Sequence, residues 1–183
     1  MTKKNRILSF IFSAVFFMGA VIPCICDIAI DGKLTWSLIA LLSVVFSWLI
    51  FIPIIATGKK GIIWSLTSLS IFILPYLYIL SDLVNTKAIF YIGAMMAIIS
   101  DAYLWIVFAV IKLIGAKKLQ TYGIVSLSAI PYLLIINFVL SKLIAEPFID
   151  IWDILIGVFL LIISISFLIC GFIKNDTFDI KNN

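Results

Sequence analysis

Asp101 is the residue whose type and place most suggest chemistry. It stands in the middle of an apolar run over residues 88–114. An aspartate at the centre of a membrane helix costs about 2.5–3.5 kcal/mol on insertion scales. Gly93, Ala97 and Asp101 recur every four residues and so share one helical stripe, with Ser100 beside it. Small residues on a stripe let a second helix come close, which turns Asp101 toward the interior of a helix bundle. There it could hold an ion, a proton or the amine of a solute, or it could be a hydrogen-bonded aspartate that ties two helices together. Asn137, deep in the run 123–143 with Ser141 one turn on, is its natural partner near mid-membrane. An intramembrane asparagine also works as cross-helix glue worth roughly 0.6–2 kcal/mol. Asp101, Asn137 and Ser100 form the candidate intramembrane polar site.

Pro75 and Pro131 are candidate hinges. Inside a helix each removes one backbone hydrogen bond and opens a kink, although proline is also frequent in membrane helices without such a role. The hydroxyls of Ser43, Ser47, Ser65 and Ser68 could line a polar path or bond their own carbonyls. Glu146, Asp150 and Asp153 surround Pro147 without the tight ligand spacing of a metal loop. They read as a solvated loop, with attraction of cations or of a positively charged peptide as the sharper alternative. Cys24, Cys26 and Cys170 read as small buried hydrophobes, and Cys-x-Cys without histidine is too little for a metal site.

What is missing narrows function further. The chain has no histidine, which removes bis-histidine haem, a Ser–His dyad and an H-E-x-x-H zinc site. One intramembrane aspartate cannot make a proton-sharing dyad. No glycine-rich phosphate loop and no Cys-x-x-Cys pair is present. The expectation is a non-enzyme with no catalytic residues, no cofactor and no metal.

The elements that must position these residues are set by composition. The 183 residues are 64% hydrophobic and 12% charged, against about 45–50% and 25% in soluble domains. The apolar residues fall in six blocks, 7–26, 34–57, 62–80, 88–114, 123–143 and 154–173. Each has about the 20 residues a helix needs to cross ~30 Å of hydrocarbon. Open sheet edges cannot exist in lipid, so strands are excluded as spans. The expected fold is all-α: a polytopic integral membrane protein, one domain of six transmembrane helices in three consecutive hairpins, with no soluble domain. Lys3, Lys4 and Arg6 ahead of the run 7–22 also resemble a signal peptide, but no small-residue cleavage site follows, and the segment reads as a retained helix.

Orientation follows from the basic residues. With the N-terminus inside, Lys3, Lys4, Arg6, Lys59, Lys60, Lys112, Lys117, Lys118, Lys174 and Lys181 lie inside, and only Lys33, Lys87 and Lys142 outside. Both termini are therefore expected in the cytoplasm of a plasma-membrane protein. The net charge of +4 is then a topological signal and needs no nucleic-acid partner. The expected partners are the lipid bilayer, anionic headgroups at the inner lysines and another membrane protein. Trp36, Tyr78, Tyr91 and Trp152 fall at one expected boundary, Trp64 and Tyr122 at the other.

Spacing also hints at a repeat. Pro75-Tyr76-Leu77 returns as Pro131-Tyr132-Leu133, 56 residues on, and Trp48 and Trp105 each precede a glycine by ten. Gly58, Gly115 and Gly171, each followed by lysine, close the even helices, and each odd helix holds one proline. Three copies of one hairpin would suit a pseudo-three-fold bundle, and repeats are a habit of transporters. Chance matches in apolar sequence of low complexity are the alternative. No stretch carries a family motif. Two functions stay open: a transport-related bundle or permease subunit for a small solute or ion, and a non-catalytic interaction protein (immunity, accessory or assembly factor) that packs against a partner.

Overall fold

The computed structural model describes residues 3–115, 118–144 and 147–182. Glu146 and Lys117 lie outside the described residues, as do the side chains of Lys3, Lys4, Arg6, Lys59, Lys118, Lys174 and Lys181. Among the described residues the chain forms six α-helices and no strand. They are α1 (Lys3–Asp31), α2 (Ser37–Thr57), α3 (Gly61–Leu83), α4 (Lys87–Ile114), α5 (Lys118–Ile144) and α6 (Ile151–Asn182), with a 3₁₀ turn, Gly58–Lys60, between α2 and α3. Each helix is long and apolar enough to cross a membrane. The shortest, α2 with 21 residues, spans about 31 Å at 1.5 Å per residue.

Polarity is distributed inside out. No apolar side chain among the described residues is buried, whereas Asp27, Ser37, Ser65, Ser81, Thr121 and Ser164 are. Water would drive the opposite arrangement; hydrocarbon accepts apolar faces and forces polar groups to find partners inside. This is the architecture of a six-helix, multi-pass membrane protein. Trp36, Trp64, Tyr78, Tyr91, Tyr122 and Trp152 are all exposed.

Most helix boundaries differ from the apolar blocks, three of them informatively. α1 runs on to Asp31 and α6 to Asn182, because backbone hydrogen bonding does not stop where hydropathy falls. α2 begins at Ser37 rather than residue 34, because Thr35 and Ser37 are held by Asp27. A proline also lies inside an even helix, Pro53 in α2, so prolines do not single out the odd ones.

The chain falls into two compact units, Met1–Ile98 and Ile99–Asn183. In the first, α2 packs on α1 and α3. The α2–α3 turn is tight: Gly58 adopts φ 61°, and a Cβ on Gly61 would collide with the Pro53 carbonyl. Gly93 of α4 faces Leu77 of α3, whose Cδ2 would lie 3.1 Å from an added Cβ. In the second unit α5 and α6 cross at Gly123, where a Cβ would fall 2.7 Å from Leu168 Cγ. The buried Ser164 hydroxyl donates a 2.8 Å bond to the Gly123 carbonyl at the same crossing.

Candidate functional site

The second unit holds the three residues of the expected polar site. Ser100 shares a 2.9 Å hydroxyl–hydroxyl bond with Tyr132 of α5. One turn on from Ser100, Tyr103 stacks on the Tyr132 ring, centroids 4.2 Å apart at 14°. The Tyr103 hydroxyl donates to the Val125 carbonyl at 3.3 Å. Asp101 is half-buried and not without a partner. Pro131 sits inside α5 directly before the clasped tyrosine.

The first unit contains the same arrangement. Ser43 and Tyr76 share a 3.1 Å hydroxyl–hydroxyl bond, and Phe46 stacks on the Tyr76 ring at 4.3 Å and 16°. Ser43 spends its one hydrogen on the Ile39 carbonyl at 2.9 Å, so Tyr76 is the donor to Ser43. Ser43 to Ser100 and Phe46 to Tyr103 are steps of 57 residues, and Tyr76 to Tyr132 is a step of 56. Ser65 and Thr121, also 56 apart, are both buried. The contact is thus present twice. Continued by the same intervals it stops, since α1 has Ala20 and α6 has Gly157 at the corresponding places.

Asn137 belongs to a different cluster of the second unit. It lines a cavity of about 230 Å³ with Leu140, Ser141, Pro147, Asp150, Trp152 and Asp153; Asp101 is not among the lining residues. Asn137 Nδ2 is sealed from solvent, and no hydrogen bond of good geometry reaches it from the described residues, although the Asp153 carboxylate stands beside the amide. Asp150 and Asp153 cap the first turn of α6: Asp150 Oδ1 accepts from the Ile151 N–H at 2.7 Å and Asp153 Oδ2 from the Asp150 N–H at 2.9 Å. Each carboxylate keeps further acceptor sites. The cavity is therefore polar and rich in negative charge.

No protein-family model, curated protein or solved structure matches this chain. The geometry alone carries the functional reading.

The structure separates what the sequence placed together. Ser100 and Pro131 meet at Tyr132, whereas Asn137 faces the α5–α6 loop and the start of α6. Pro75 holds the equivalent place before Tyr76. Two features escape sequence reasoning. One is the pairing of the tyrosines with serines, although the 56- and 57-residue intervals were a usable signal. The other is Asp27, fully buried, whose carboxylate accepts from Thr35 N at 2.6 Å, Thr35 Oγ1 at 2.8 Å, Ser37 N at 3.0 Å and Ser37 Oγ at 2.6 Å. It closes the α1–α2 loop and caps α2 in place of a side chain from Trp36.

Proposed function

We propose that this membrane protein is a transport-related bundle or permease subunit that takes a small amine into the α5–α6 cavity. The observation that supports the reading is a polar cavity of about 230 Å³ lined by the Asp150 and Asp153 carboxylates, the Trp152 ring and the Asn137 amide. The volume lies below the ~300–1,000 Å³ of drug-sized sites and suits a solute of a few heavy atoms. Asp150 and Asp153 would pair with its ammonium, the Trp152 ring would add a cation–π face, and Asn137 would donate to an oxygen of the solute. An amino alcohol has that combination of groups.

The test is calorimetric titration of the full chain in nanodiscs with ethanolamine and with ethylamine. Ethanolamine binds more tightly in this reading, Asn137→Ala removes the preference, and Asp153→Asn weakens both amines. Failure of the wild-type chain to bind either amine overturns it. Asp101, outside the cavity, is assigned to ion or proton coupling. In proteoliposomes Asp101→Asn then abolishes uptake or its pH dependence while amine binding persists.

The charge distribution supports a plasma-membrane protein with both termini cytoplasmic and lysines drawn to anionic headgroups; the cavity then opens outward. With no histidine and no nucleophile–base pair in the sequence, the protein is assigned no catalytic reaction. A second reading has its own support. An apolar groove of about 530 Å³ runs between α1 and α2, lined by Phe10, Phe16, Phe17, Val44 and Trp48 among others. An accessory protein would use such a face against a partner helix, and groove substitutions rather than Asn137→Ala would then govern its phenotype.

A further inference from the structure

We infer that the Ser100–Tyr132 bond and its repeat, Ser43–Tyr76, are two copies of a latch that sets the bend of a proline-hinged helix, and that the Ser100–Tyr132 latch controls the α5–α6 cavity. This use of the latch rests on the cavity being the solute site.

Three observations lead here. The first is recurrence. A serine, an aromatic three residues later and a tyrosine from the next helix meet with hydroxyl distances of 3.1 and 2.9 Å and ring separations of 4.3 and 4.2 Å. Matching geometry at matching intervals is difficult to obtain from chance packing of apolar helices.

The second is position. Each tyrosine immediately follows the proline inside its helix, Pro75 in α3 and Pro131 in α5. A proline removes the hydrogen bond to the carbonyl four residues earlier, here Ile71 and Leu127, and leaves the following segment free to swing. The tyrosine is the first side chain beyond that soft point, and its hydroxyl is tied to the neighbouring helix. The bond thus joins the segment beyond the soft point to the neighbouring helix at its first side chain.

The third is what the swinging segment carries. Beyond Pro131, α5 presents Asn137, Leu140 and Ser141 to the cavity, whose opposite wall is Pro147, Asp150, Trp152 and Asp153. Rotation at Pro131 moves the first set against the second. Tyr103 strengthens this latch through its bond to Val125, whereas the corresponding Phe46 has no hydroxyl. The copy on the helix that also lines the polar cavity is the one with the additional tie.

A single hydrogen bond in a membrane protein shifts an equilibrium by about 3- to 20-fold, which is enough to change an opening rate without unfolding the helix. The test uses the full chain in nanodiscs with Cys24→Ala, Cys26→Ala and Cys170→Ala, and Leu140→Cys as reporter for a membrane-impermeant maleimide. Tyr132→Phe keeps the stacked ring and removes the bond, and is expected to raise the labelling rate at least about threefold. Ser100→Ala breaks the same bond from the other side and does the same, Ser100→Thr restores the wild-type rate, and Tyr122→Phe on the same helix leaves it unchanged. Pro131→Ala abolishes the response to Tyr132→Phe. Unchanged labelling in Tyr132→Phe, or in Ser100→Ala if the first variant does not fold, overturns the latch. Labelling needs no bound solute, so a wild-type chain that ignores amines refutes the solute site and leaves the latch test readable.

Discussion

Replacing Gly123 with alanine tests the α5–α6 crossing that builds the candidate site. The added Cβ would stand 2.7 Å from Leu168 Cγ, 3.0 Å from its Cδ2 and 3.2 Å from its backbone nitrogen. Carbon atoms prefer about 3.5–4.0 Å. The leucine contact is with the branch carbon and not only the tip, and the backbone nitrogen cannot turn away, so the helices must separate. Overpacking of this kind costs about 1–3 kcal/mol. Separation also stretches the Ser164–Gly123 bond, roughly 0.6–1.7 kcal/mol in a membrane protein. The better helix propensity of alanine returns about 0.8–1.0 kcal/mol. The net loss is about 2 kcal/mol, roughly thirtyfold in the folding equilibrium. The assay is reversible unfolding in bicelles with graded SDS, followed by far-ultraviolet circular dichroism. Gly157→Ala is the control, because its Cβ would meet nothing within 4 Å, and it should be neutral or stabilising by up to about 1 kcal/mol. Leu168→Ala removes the obstructing Cγ, so its combination with Gly123→Ala should be less damaging than the two single losses added together. Equal effects of Gly123→Ala and Gly157→Ala, or strictly additive losses with Leu168→Ala, would refute the close crossing.

Two further outcomes are expected of the first unit. Asp27→Ala removes the acceptor of all four bonds from Thr35 and Ser37, so hydrogen exchange at the Thr35 and Ser37 amides should accelerate on the order of tenfold or more, while exchange in mid-α2 stays slow. Gly61→Ala drives a methyl into the Pro53 carbonyl at the α2–α3 turn; limited proteolysis after Lys59 or Lys60 should become faster than in a Gly32→Ser variant, where space is open and only the φ of 66° is strained.

The spanning helices were legible because lipid imposes a length and a polarity that a run of about 20 apolar residues records directly. Their ends were less so. Hydropathy marks where hydrocarbon stops, yet α1 continues past Asp27 and α6 past Lys174. The role of Asp27 was hidden because its partners lie eight and ten residues on, across a loop whose path no periodicity sets. Spacing along α5 gives the depth of Asn137 but not which neighbour it faces. The structure instead has it share a cavity with Pro147 and Asp150, residues the sequence left in a solvated loop. The repeat was visible as numbers, and its content, a serine and a tyrosine in contact, needed two helices side by side.

The membrane-spanning architecture is tested most directly by labelling single cysteines from each side of sealed vesicles, one in each connection and one near each terminus. Residues 58–60 and 115–117 should label from the same side as both termini, and residues 32–36, 84–86 and 147–150 from the other. Two successive connections that label from one side would contradict six crossings.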